Sequence, residues 1–304
     1  MKILWMTTDY HHHAPGGPMR HYYYTLEDEI TKITKVTLVG RTESSRDLKH
    51  LAEIHDADVV MIYDDMWRLE NVDKVSVPVA LWCSDPWRRI LDHVEYINKN
   101  RISLVCLLHG AAAPEYRKRV SAKCVETFQS LSDKIFQPIG TKGVYDVFQT
   151  GDVDPTAYPL RNAIYHTYRN NPRCWVRSGF KSIPRLDDYV KRVAHSKIIA
   201  TGNCHLPVLD NNKLSFFQVK PLEAMATKTL AMMDRPTCSE LLHFEDGVNY
   251  VEIGLTDFRK KIRYYLEHDE ERRKIAEQGY ETYLKYHTSA ARAKQVYEEL
   301  KNLC

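Results

Sequence analysis

The feature that most constrains the fold of this chain is the alternation, through its first half, of short apolar runs with longer stretches that mix polar and apolar residues. This pattern is typical of strands that are joined through crossover helices into a parallel sheet. It predicts a Rossmann-like domain. The predicted strands are Lys2–Thr7, Lys35–Val39, Ala57–Tyr63, Val77–Cys83, Ile102–Leu108 and Lys134–Gln137.

A length of 304 residues suits two domains better than one. The stretch Gly140–Asp154 is rich in glycine, threonine and aspartate and has no convincing apolar period, so the hinge is predicted there. The α/β pattern then resumes, and the last fifty residues read as helices with Phe258, Ile262 and Leu266 on one face. We therefore expect two Rossmann-like domains, residues 1–145 and 146–304, facing across a cleft.

Charge and cysteine content exclude few classes of protein or partner. The chain has 43 basic and 40 acidic side chains, a formal net charge of +3, which neither demands nor excludes a polyanionic partner. It contains no run of eighteen apolar residues and no charged-then-apolar leader, which favours a soluble, cytoplasmic protein without a transmembrane segment. The seven cysteines are scattered and never spaced as CxxC, which is typical of reduced structural thiols.

The chemistry-bearing stretch lies between Lys220 and Glu240. A nucleotide diphosphate needs a carboxylate for its ribose hydroxyls, cations for its phosphates, and a helix N-terminus whose free N–H groups favour anions. This stretch contains acidic and basic side chains, and Thr237–Glu240 has the spacing of a capping box before Leu241 and Leu242. The sequence therefore predicts a nucleotide site with a helix start at residues 237–240.

The segment KPLEAMATKTLAMMDRPTCSELLHFEDGVNYV, followed by TDFRKKIRYYLEHDEERRKIAEQGYETYLKYHT, resembles the donor-binding domain of the glycosyltransferase group 1 superfamily. The branch it looks most similar to includes the CgeB-like spore-maturation proteins and related phage enzymes. The resemblance covers roughly residues 186–300, and the first half matches in outline. It implies a GT-B architecture, in which the C-terminal domain holds a nucleotide-sugar such as a UDP-sugar.

The resemblance also implies roles for particular residues. Glu223 matches the family glutamate that hydrogen-bonds the ribose, and Lys220 matches a basic residue near the phosphates. The backbone at Cys238, Ser239 and Glu240 matches the segment that wraps the diphosphate. Arg161, in YPLR, is a candidate for a further phosphate contact, with a surface arginine at a helix start as the alternative. The alternative for Glu223 is an exposed helix glutamate.

The chain departs from the family at one position. Retaining members of the superfamily commonly carry a second glutamate eight positions before the first, near the sugar, and here that position is Ser215. The stereochemical outcome is therefore open.

Candidates for the base come from the first half. Asp85 follows an apolar strand and precedes Pro86, and His109 follows another strand. A helix-capping role for Asp85 and a structural role for His109 are the alternatives. Gly16 and Gly17, in the loop after the first strand, would let the backbone approach a ligand, although a GxGxxG fingerprint is absent.

These observations favour a glycosyltransferase that moves a hexosyl or pentosyl group to a hydroxyl acceptor. The acceptor classes are a saccharide, a protein, a metabolite and a hydroxymethylated DNA base, so DNA is among the candidate partners. No cofactor or metal is expected, because helix dipoles and basic side chains stabilise the leaving diphosphate. A nucleotide-sugar epimerase and a non-catalytic nucleotide-sugar-binding protein are the alternative functions. The sequence is silent on oligomeric state.

Overall fold

The computed structural model describes residues 1–7, 25–40, 45–63, 69–84, 86, 89–140, 143–179, 185–207 and 213–304. Within these ranges the chain divides into two compact units, residues 1–129 with 292–304 and residues 130–291. The sequence predicts a boundary at residue 145, whereas the compact units divide after Gln129 and the last thirteen residues belong to the first unit.

The first unit is built on a six-stranded parallel sheet with the strand order β2-β1-β3-β4-β5-β6. Every residue of β3, β4 and β5 is buried, as expected where both faces of a parallel sheet are covered. The strands are β1 (Lys2–Met6), β2 (Lys35–Val39), β3 (Val59–Tyr63), β4 (Val79–Cys83), β5 (Leu104–Leu107) and β6 (Lys123–Glu126).

The helices of the first unit are short. The helix of residues 48–54 begins after Asp47, which is its N-cap. The Asp47 carboxylate accepts a hydrogen bond from the backbone N–H of His50 at 3.1 Å. The helices are α1 (Thr25–Ile30), α2 (Leu48–Ile54), α3 (Ile90–Lys99) and α4 (Ala113–Arg117).

One predicted strand of this unit is wrong. Residues 134–137 form a turn, in which the backbone N–H groups of Ile135 and Phe136 donate to the carbonyl oxygen of Ser132. The sixth strand is instead β6, which pairs with β5 in register Leu104 to Lys123. Its sequence KCVE places two apolar residues between two charged ones and so contains no longer apolar run, which is why the sequence pattern did not reveal it.

The second unit is built on a five-stranded parallel sheet with the strand order β13-β12-β9-β7-β8, and an antiparallel hairpin, β10–β11, follows β9. Its strands are β7 (Tyr145–Gln149), β8 (Cys174–Val176), β9 (Ser196–Ala200), β10 (Cys204–Pro207), β11 (Lys213–Phe216), β12 (Leu230–Met233) and β13 (Val251–Glu252).

The interpretation of residues 140–154 as a segment without strand character is wrong, because β7 lies within it and pairs with both β8 and β9. Its sequence YDVFQ places polar residues at both ends of a two-residue apolar core. Val147 and Phe148 are nevertheless fully buried, on opposite faces of the sheet.

Helices cover both faces of the second sheet. The core on one face joins β7, β9 and β12 to Leu160, Ile164, Phe258 and Ile262. No helix in the described part of the chain is both long and apolar enough to span a membrane. The helices of this unit are α5 (Pro159–Tyr168), α6 (Leu186–Ala194), α7 (Lys220–Ala226), α8 (Phe258–Glu267) and α9 (Asp269–Tyr286). The last helix, α10 (Ser289–Lys301), begins at the end of the second unit and from Arg292 onward belongs to the first.

Candidate functional site

The candidate site of the second unit lies at the carboxyl ends of β7, β9 and β12. These strands are parallel neighbours, so the residues that follow them meet at one edge of the sheet. Open α/β sheets bind ligands at this edge. The residues concerned are Thr150 after β7, Thr201 to Asn203 after β9, and Asp234 after β12.

Helix α7 carries the KPLEAMA sequence to this edge. All seven of its residues are buried, and Pro221 lies in its first turn, where a missing N–H costs nothing. Helix α9 crosses it closely at Gly279, where a Cβ atom would lie 2.7 Å from the carbonyl oxygen of Asn249 and 3.2 Å from Cγ of Met225. Tight packing therefore fixes the two polar residues of α7, Lys220 and Glu223.

Lys220, Glu223 and Tyr189 form a buried cluster. Lys220 Nζ lies 3.1 Å from Oε1 and 3.2 Å from Oε2 of Glu223, and Tyr189 donates its hydroxyl hydrogen to Oε2 at 2.5 Å. The Tyr189 oxygen accepts hydrogen bonds from Lys220 and, at 3.4 Å, from the hydroxyl of Thr150. Glu223 is 0% exposed, so the prediction of an exposed helix glutamate as its alternative role does not hold.

Burial and charge oppose each other at Lys220. Desolvation lowers the pKa of its ammonium group, and the neighbouring Glu223 carboxylate acts in the opposite sense without cancelling the effect. The charged form of a buried lysine that has a single carboxylate partner is stabilised by any further negative charge that comes close to it. The cluster is therefore electrostatically suited to an anionic or hydroxyl-bearing ligand.

Arg161 is buried at the start of α5 instead of lying on the surface. Its guanidinium group donates to the carbonyl oxygens of Asp152 at 3.1 Å and Gly202 at 2.8 Å, and it stacks 4.2 Å from the Tyr158 ring centroid. Burial lowers its pKa. Its Nε has no hydrogen-bond acceptor among the described residues. The side chain joins the segments after β7 and β9, and its role as a phosphate contact stays a prediction.

Asp234 binds the segment that follows β9. Its Oδ1 accepts the backbone N–H of Asn203 at 2.7 Å, its backbone oxygen accepts the Asn203 side-chain amide, and its Oδ2 bonds Nε2 of His205. His205 and Asp234 keep 32% and 18% of their side-chain surface exposed. The ends of β9 and β12 are therefore joined by a carboxylate–imidazole pair that solvent reaches.

The predicted helix start at residues 237–240 is wrong. The segment forms consecutive turns, with the backbone N–H of Ser239 bonded to Pro236 and that of His243 bonded to Glu240. The hydroxyl of Ser239 accepts from Arg235 Nε at 3.1 Å and does not cap a helix. The left-handed backbone at His243, with φ of 56°, ends the segment before a helix forms. Roles for Cys238, Ser239 and Glu240 in donor binding stay predictions.

The candidate residues of the first unit are only partly within the described residues. His109 is 3% exposed and lies two residues after β5, at the carboxyl edge of the first sheet, as the sequence predicts. Asp85, Gly16 and Gly17 lie outside the described residues. The choice between Asp85 and His109 as base therefore stays a prediction.

A cavity of about 560 Å³ lies at the opposite, amino-terminal edge of the second sheet, between Gly143, Lys197, Lys228 and α9. Its cations all have carboxylate partners. Lys197 pairs with Asp146 at 2.8 Å, Lys228 with Glu277 at 2.6 Å, and Arg272 and Arg273 with Asp269. Open α/β sheets bind ligands at the carboxyl ends of their strands, so the carboxyl edge is the better candidate site.

Three residues of the carboxyl edge were not predicted from the sequence, namely Tyr189, His205 and Asp234. Asp234 directly follows the apolar run LAMM, and the argument that singled out Asp85 after its strand applies equally to it. Tyr189 lies on the buried face of α6 and carries no signal that separates it from a core residue. His205 belongs to a hairpin that the apolar pattern does not predict.

One family of known proteins matches the part of the chain that contains this edge. Residues 159–298, slightly less than half of the chain, match the family described as glycosyl transferase-like. The matched region contains α5, α6, α7 and the whole carboxyl edge from β9 onward. No curated protein sequence matches the chain significantly.

The fold is shared with solved structures over the whole length of the chain. Anabaena Alr3699/HepE, solved with UDP-glucose and also with UDP and glucose, has a TM-score of 0.68 and 13% identity in the first complex, with 100% of both chains covered. Sucrose-phosphate synthase from Thermosynechococcus elongatus has a TM-score of 0.68 and 9% identity, covering 100% of this chain and 99% of that one.

A glycosyltransferase from Rickettsia africae has a TM-score of 0.65 and 12% identity, covering 99% of this chain and 98% of that one. At such identities the likeness establishes the fold. The α/β class with parallel sheets and the GT-B type of architecture are thus confirmed.

Proposed function

We propose that this chain, whose residues 159–298 match the glycosyl transferase-like family, transfers a hexosyl group from a UDP-sugar to a hydroxyl acceptor. The observation that carries the proposal is the buried cluster of Lys220, Tyr189 and Glu223 at the carboxyl edge of the second sheet, inside the matched region. UDP as the nucleotide and a hexose as the sugar are supported by the Anabaena protein of the same fold, which was solved with UDP and glucose.

In the proposed donor complex, the ribose hydroxyls donate to the Glu223 carboxylate and the Lys220 ammonium interacts with the diphosphate. Both side chains come from α7, so a single rigid helix sets their spacing. A diphosphate would supply the further negative charge that the desolvated Lys220 lacks. Tyr189 would keep the carboxylate in place through its hydrogen bond to Oε2.

The transfer breaks the bond between the anomeric carbon and the diphosphate oxygen, whose electron pair leaves with UDP. The acceptor oxygen forms the new bond to the anomeric carbon, and its proton passes to a base, for which Asp85 and His109 are the candidates. Arg161 and the turn at Cys238, Ser239 and Glu240 are further candidates for stabilising the leaving group. No metal is needed for this step, since cationic side chains can neutralise the diphosphate.

The acceptor is proposed by class only. A saccharide, a protein side chain, a metabolite and a hydroxymethylated DNA base all present the hydroxyl group that the reaction requires. Duplex DNA would be recognised by binding that weakens steeply with salt, because phosphate contacts release counterions. Binding that is insensitive to salt would favour the neutral acceptors.

The test compares UDP, GDP and ADP as ligands of the wild type, of Glu223→Gln and of Glu267→Gln, an exposed glutamate on α8 that serves as the control. We expect UDP at a hundredfold excess over its Kd to raise the Tm of the wild type and the control by roughly 5–10 °C. Glu223→Gln should lose this shift. Absence of any nucleotide effect at millimolar concentration would overturn the proposal.

Turnover separates the remaining functions. Release of UDP together with a glycosylated acceptor is the expected result. Conversion of one UDP-sugar into another without an acceptor would instead identify an epimerase. Tight binding without hydrolysis or transfer, across the four acceptor classes, would identify a non-catalytic binding protein.

A further inference from the structure

A second polar group of side chains lies at the carboxyl edge, apart from the Lys220–Glu223 cluster. It is the Asp234–His205 pair between the ends of β9 and β12, together with Asn203. The Lys220–Glu223 cluster instead contacts Thr150, which follows β7. Because the strand order is β12-β9-β7 and neighbouring strands lie about 5 Å apart, the two groups are separated along one edge by roughly 5–10 Å.

The hairpin sets the position of His205. In the antiparallel β10–β11 pair His205 is directly opposite Ser215, so their side chains share one face of the ribbon. Ser215 is the residue eight positions before Glu223. Its hydroxyl oxygen is buried and has no hydrogen-bond partner among the described residues.

The hydrogen bond to Asp234 selects the tautomer of His205. An ionised carboxylate only accepts hydrogen bonds, so Nε2 carries the hydrogen that it donates to Oδ2. In the neutral ring Nδ1 is then an acceptor. The pair is held in place from the other side, because Asn203 donates both its backbone and its side-chain N–H groups to Asp234.

Further acceptor atoms lie in the segment that follows β9. Oδ1 of Asn203 and the hydroxyl oxygen of Thr201 are buried and have no hydrogen-bond partner among the described residues. The two side chains are 1% and 2% exposed. Buried polar atoms are rarely left unpaired, since each costs about 1–3 kcal/mol. Such atoms at the edge of a proposed ligand site indicate a polar ligand group that completes their bonding.

The composition of this group decides which part of a nucleotide-sugar fits it. A carboxylate, an amide oxygen and an imidazole nitrogen that accepts would repel a phosphate, because they offer negative charge and lone pairs. They match O–H donors. A sugar ring presents several hydroxyl groups at adjacent carbons and carries no charge. Its hydroxyls therefore suit this part of the edge, with the anionic diphosphate left to Lys220 and to Arg161, whose guanidinium group donates to the carbonyl oxygen of Gly202.

We propose that His205, Asp234 and Asn203 bind the hydroxyl groups of the transferred sugar and determine which UDP-sugar the protein accepts. This inference rests on the proposed function. Asp234 and Nδ1 of His205 would accept hydrogen bonds from neighbouring sugar hydroxyls, with Asn203 Oδ1 as a third acceptor. The Lys220–Glu223 cluster would hold the UDP moiety at the same time, so recognition of the nucleotide and of the sugar would be separable.

The experiment measures the Kd of UDP, UDP-glucose and UDP-galactose by calorimetry for the wild type, His205→Ala and Asp234→Asn. His166→Ala, which removes an exposed histidine on α5, is the control. Asp234→Asn keeps the size of the side chain and can still accept from Asn203. Its amide can present N–H to His205, which would reverse the tautomer of the ring.

We expect both site variants to bind UDP within twofold of the wild type. The preferred UDP-sugar of the wild type should bind them about tenfold or more weakly, the loss expected for hydrogen bonds to a charged or charge-oriented group. The ratio of the UDP-glucose and UDP-galactose affinities should also change. His205→Gln, which retains a donor to Asp234, provides a second variant should His205→Ala fold poorly.

Two outcomes overturn the inference while leaving the proposed function intact. In one, the variants bind the UDP-sugar as tightly as the wild type does. In the other, they lose UDP and the UDP-sugar to the same extent, which would make the pair a structural or phosphate-binding element. A wild type that binds no nucleotide would instead overturn the proposed function, together with the inference that rests on it.

Discussion

Each unit of the molecule buries a tyrosine hydroxyl in a polar cluster beside its parallel sheet, and the two clusters differ in charge. In the first unit Tyr116 donates to the carbonyl oxygen of Pro86 at 3.0 Å and lies 2.6 Å from Nδ1 of His93. In the second unit Tyr189 donates to Glu223 at 2.5 Å and accepts from Lys220.

The cluster of the first unit is neutral. Burial lowers the pKa of His93 to about 4, so its ring is uncharged at neutral pH. Since the one Tyr116 hydrogen goes to Pro86, Nδ1 of His93 is the donor to the tyrosine oxygen. A network of uncharged groups with paired hydrogen bonds can stabilise the fold without the cost of burying a charge.

The cluster of the second unit keeps an ammonium and a carboxylate out of water. Desolvating two charges costs several kcal/mol, and well-packed apolar residues often stabilise a fold as well or better. Stability alone therefore explains the neutral cluster and does not explain the charged one. The contrast is the one expected if the first cluster maintains the fold and the second, as proposed, binds a ligand.

The largest effect is expected on breaking the charged cluster. Glu223→Leu alone leaves the Lys220 ammonium buried without its carboxylate and should lower the free energy of unfolding by about 3–5 kcal/mol. The double variant Lys220→Met with Glu223→Leu should recover most of this loss, yet bind no UDP. Urea unfolding and calorimetry check the two parts. A double variant that still binds UDP would show that the charges serve the fold.

Next in size is a pH effect in the first unit. His93 has a folded pKa of about 4, below the value of about 6.5 in an unfolded chain, so the unfolded state takes up a proton first as the pH falls. The contribution of the neutral His93 ring to the free energy of unfolding is complete above about pH 6.5. It is lost progressively toward pH 4, by about 3 kcal/mol in all.

Urea unfolding of the wild type and His93→Gln between pH 7 and pH 4 isolates this contribution, because the carboxylates titrate alike in both proteins. The difference between their free energies of unfolding should shrink as the pH falls. His268→Gln, at an exposed position, is the control and should track the wild type. A constant difference between His93→Gln and the wild type would mean that folding does not lower the pKa of His93.

A matched pair of smaller changes compares the clusters directly. Tyr116→Phe leaves the Pro86 oxygen and the His93 N–H without their partner and should cost about 1–3 kcal/mol, with UDP affinity unchanged. Tyr189→Phe keeps the direct Lys220–Glu223 contacts intact, so it should lower the free energy of unfolding by only about 1 kcal/mol. It should nevertheless weaken UDP binding roughly tenfold. Equal effects of the two substitutions on UDP affinity would remove the distinction between the clusters.

The smallest effect is expected at the amino edge of the second sheet. Glu277→Gln breaks the ion pair with Lys228. The side chains of Glu277 and Lys228 are 48% and 33% exposed. Such pairs contribute less than about 1 kcal/mol. Neither UDP nor UDP-sugar affinity should change, as measured beside the carboxyl-edge variants. A marked loss of affinity would move the candidate site to the cavity at this edge.

The strands that the sequence predicted are those with an apolar run. Strands β3, β4 and β5 are buried on both faces and were predicted to within two residues at each end, because their apolar runs are continuous. β6 and β7 were missed, since polar residues at their ends interrupt the apolar pattern while tertiary pairing still makes them strands. The capping-box spacing at Thr237–Glu240 is a local signal, and here the turn that ends at His243 overrides it.

The candidate site was predictable where a motif carried it. Lys220 and Glu223 were found through the KPLEAMA sequence, and the structure brings them together. Their partner Tyr189 lies on another helix, 31 residues before Lys220, and no local sequence pattern predicts such a contact. The Asp234–His205 pair depends on the hairpin after β9, so only the three-dimensional arrangement reveals it.

The most direct test of the central claim is calorimetric titration of UDP into the wild type and into the Lys220→Met, Glu223→Leu double variant, both first shown to be folded. We expect UDP to bind the wild type and not to bind the double variant, although the double variant keeps most of the stability of the wild type. Equal UDP affinity of the two proteins would contradict the assignment of the nucleotide to the carboxyl edge of the second sheet.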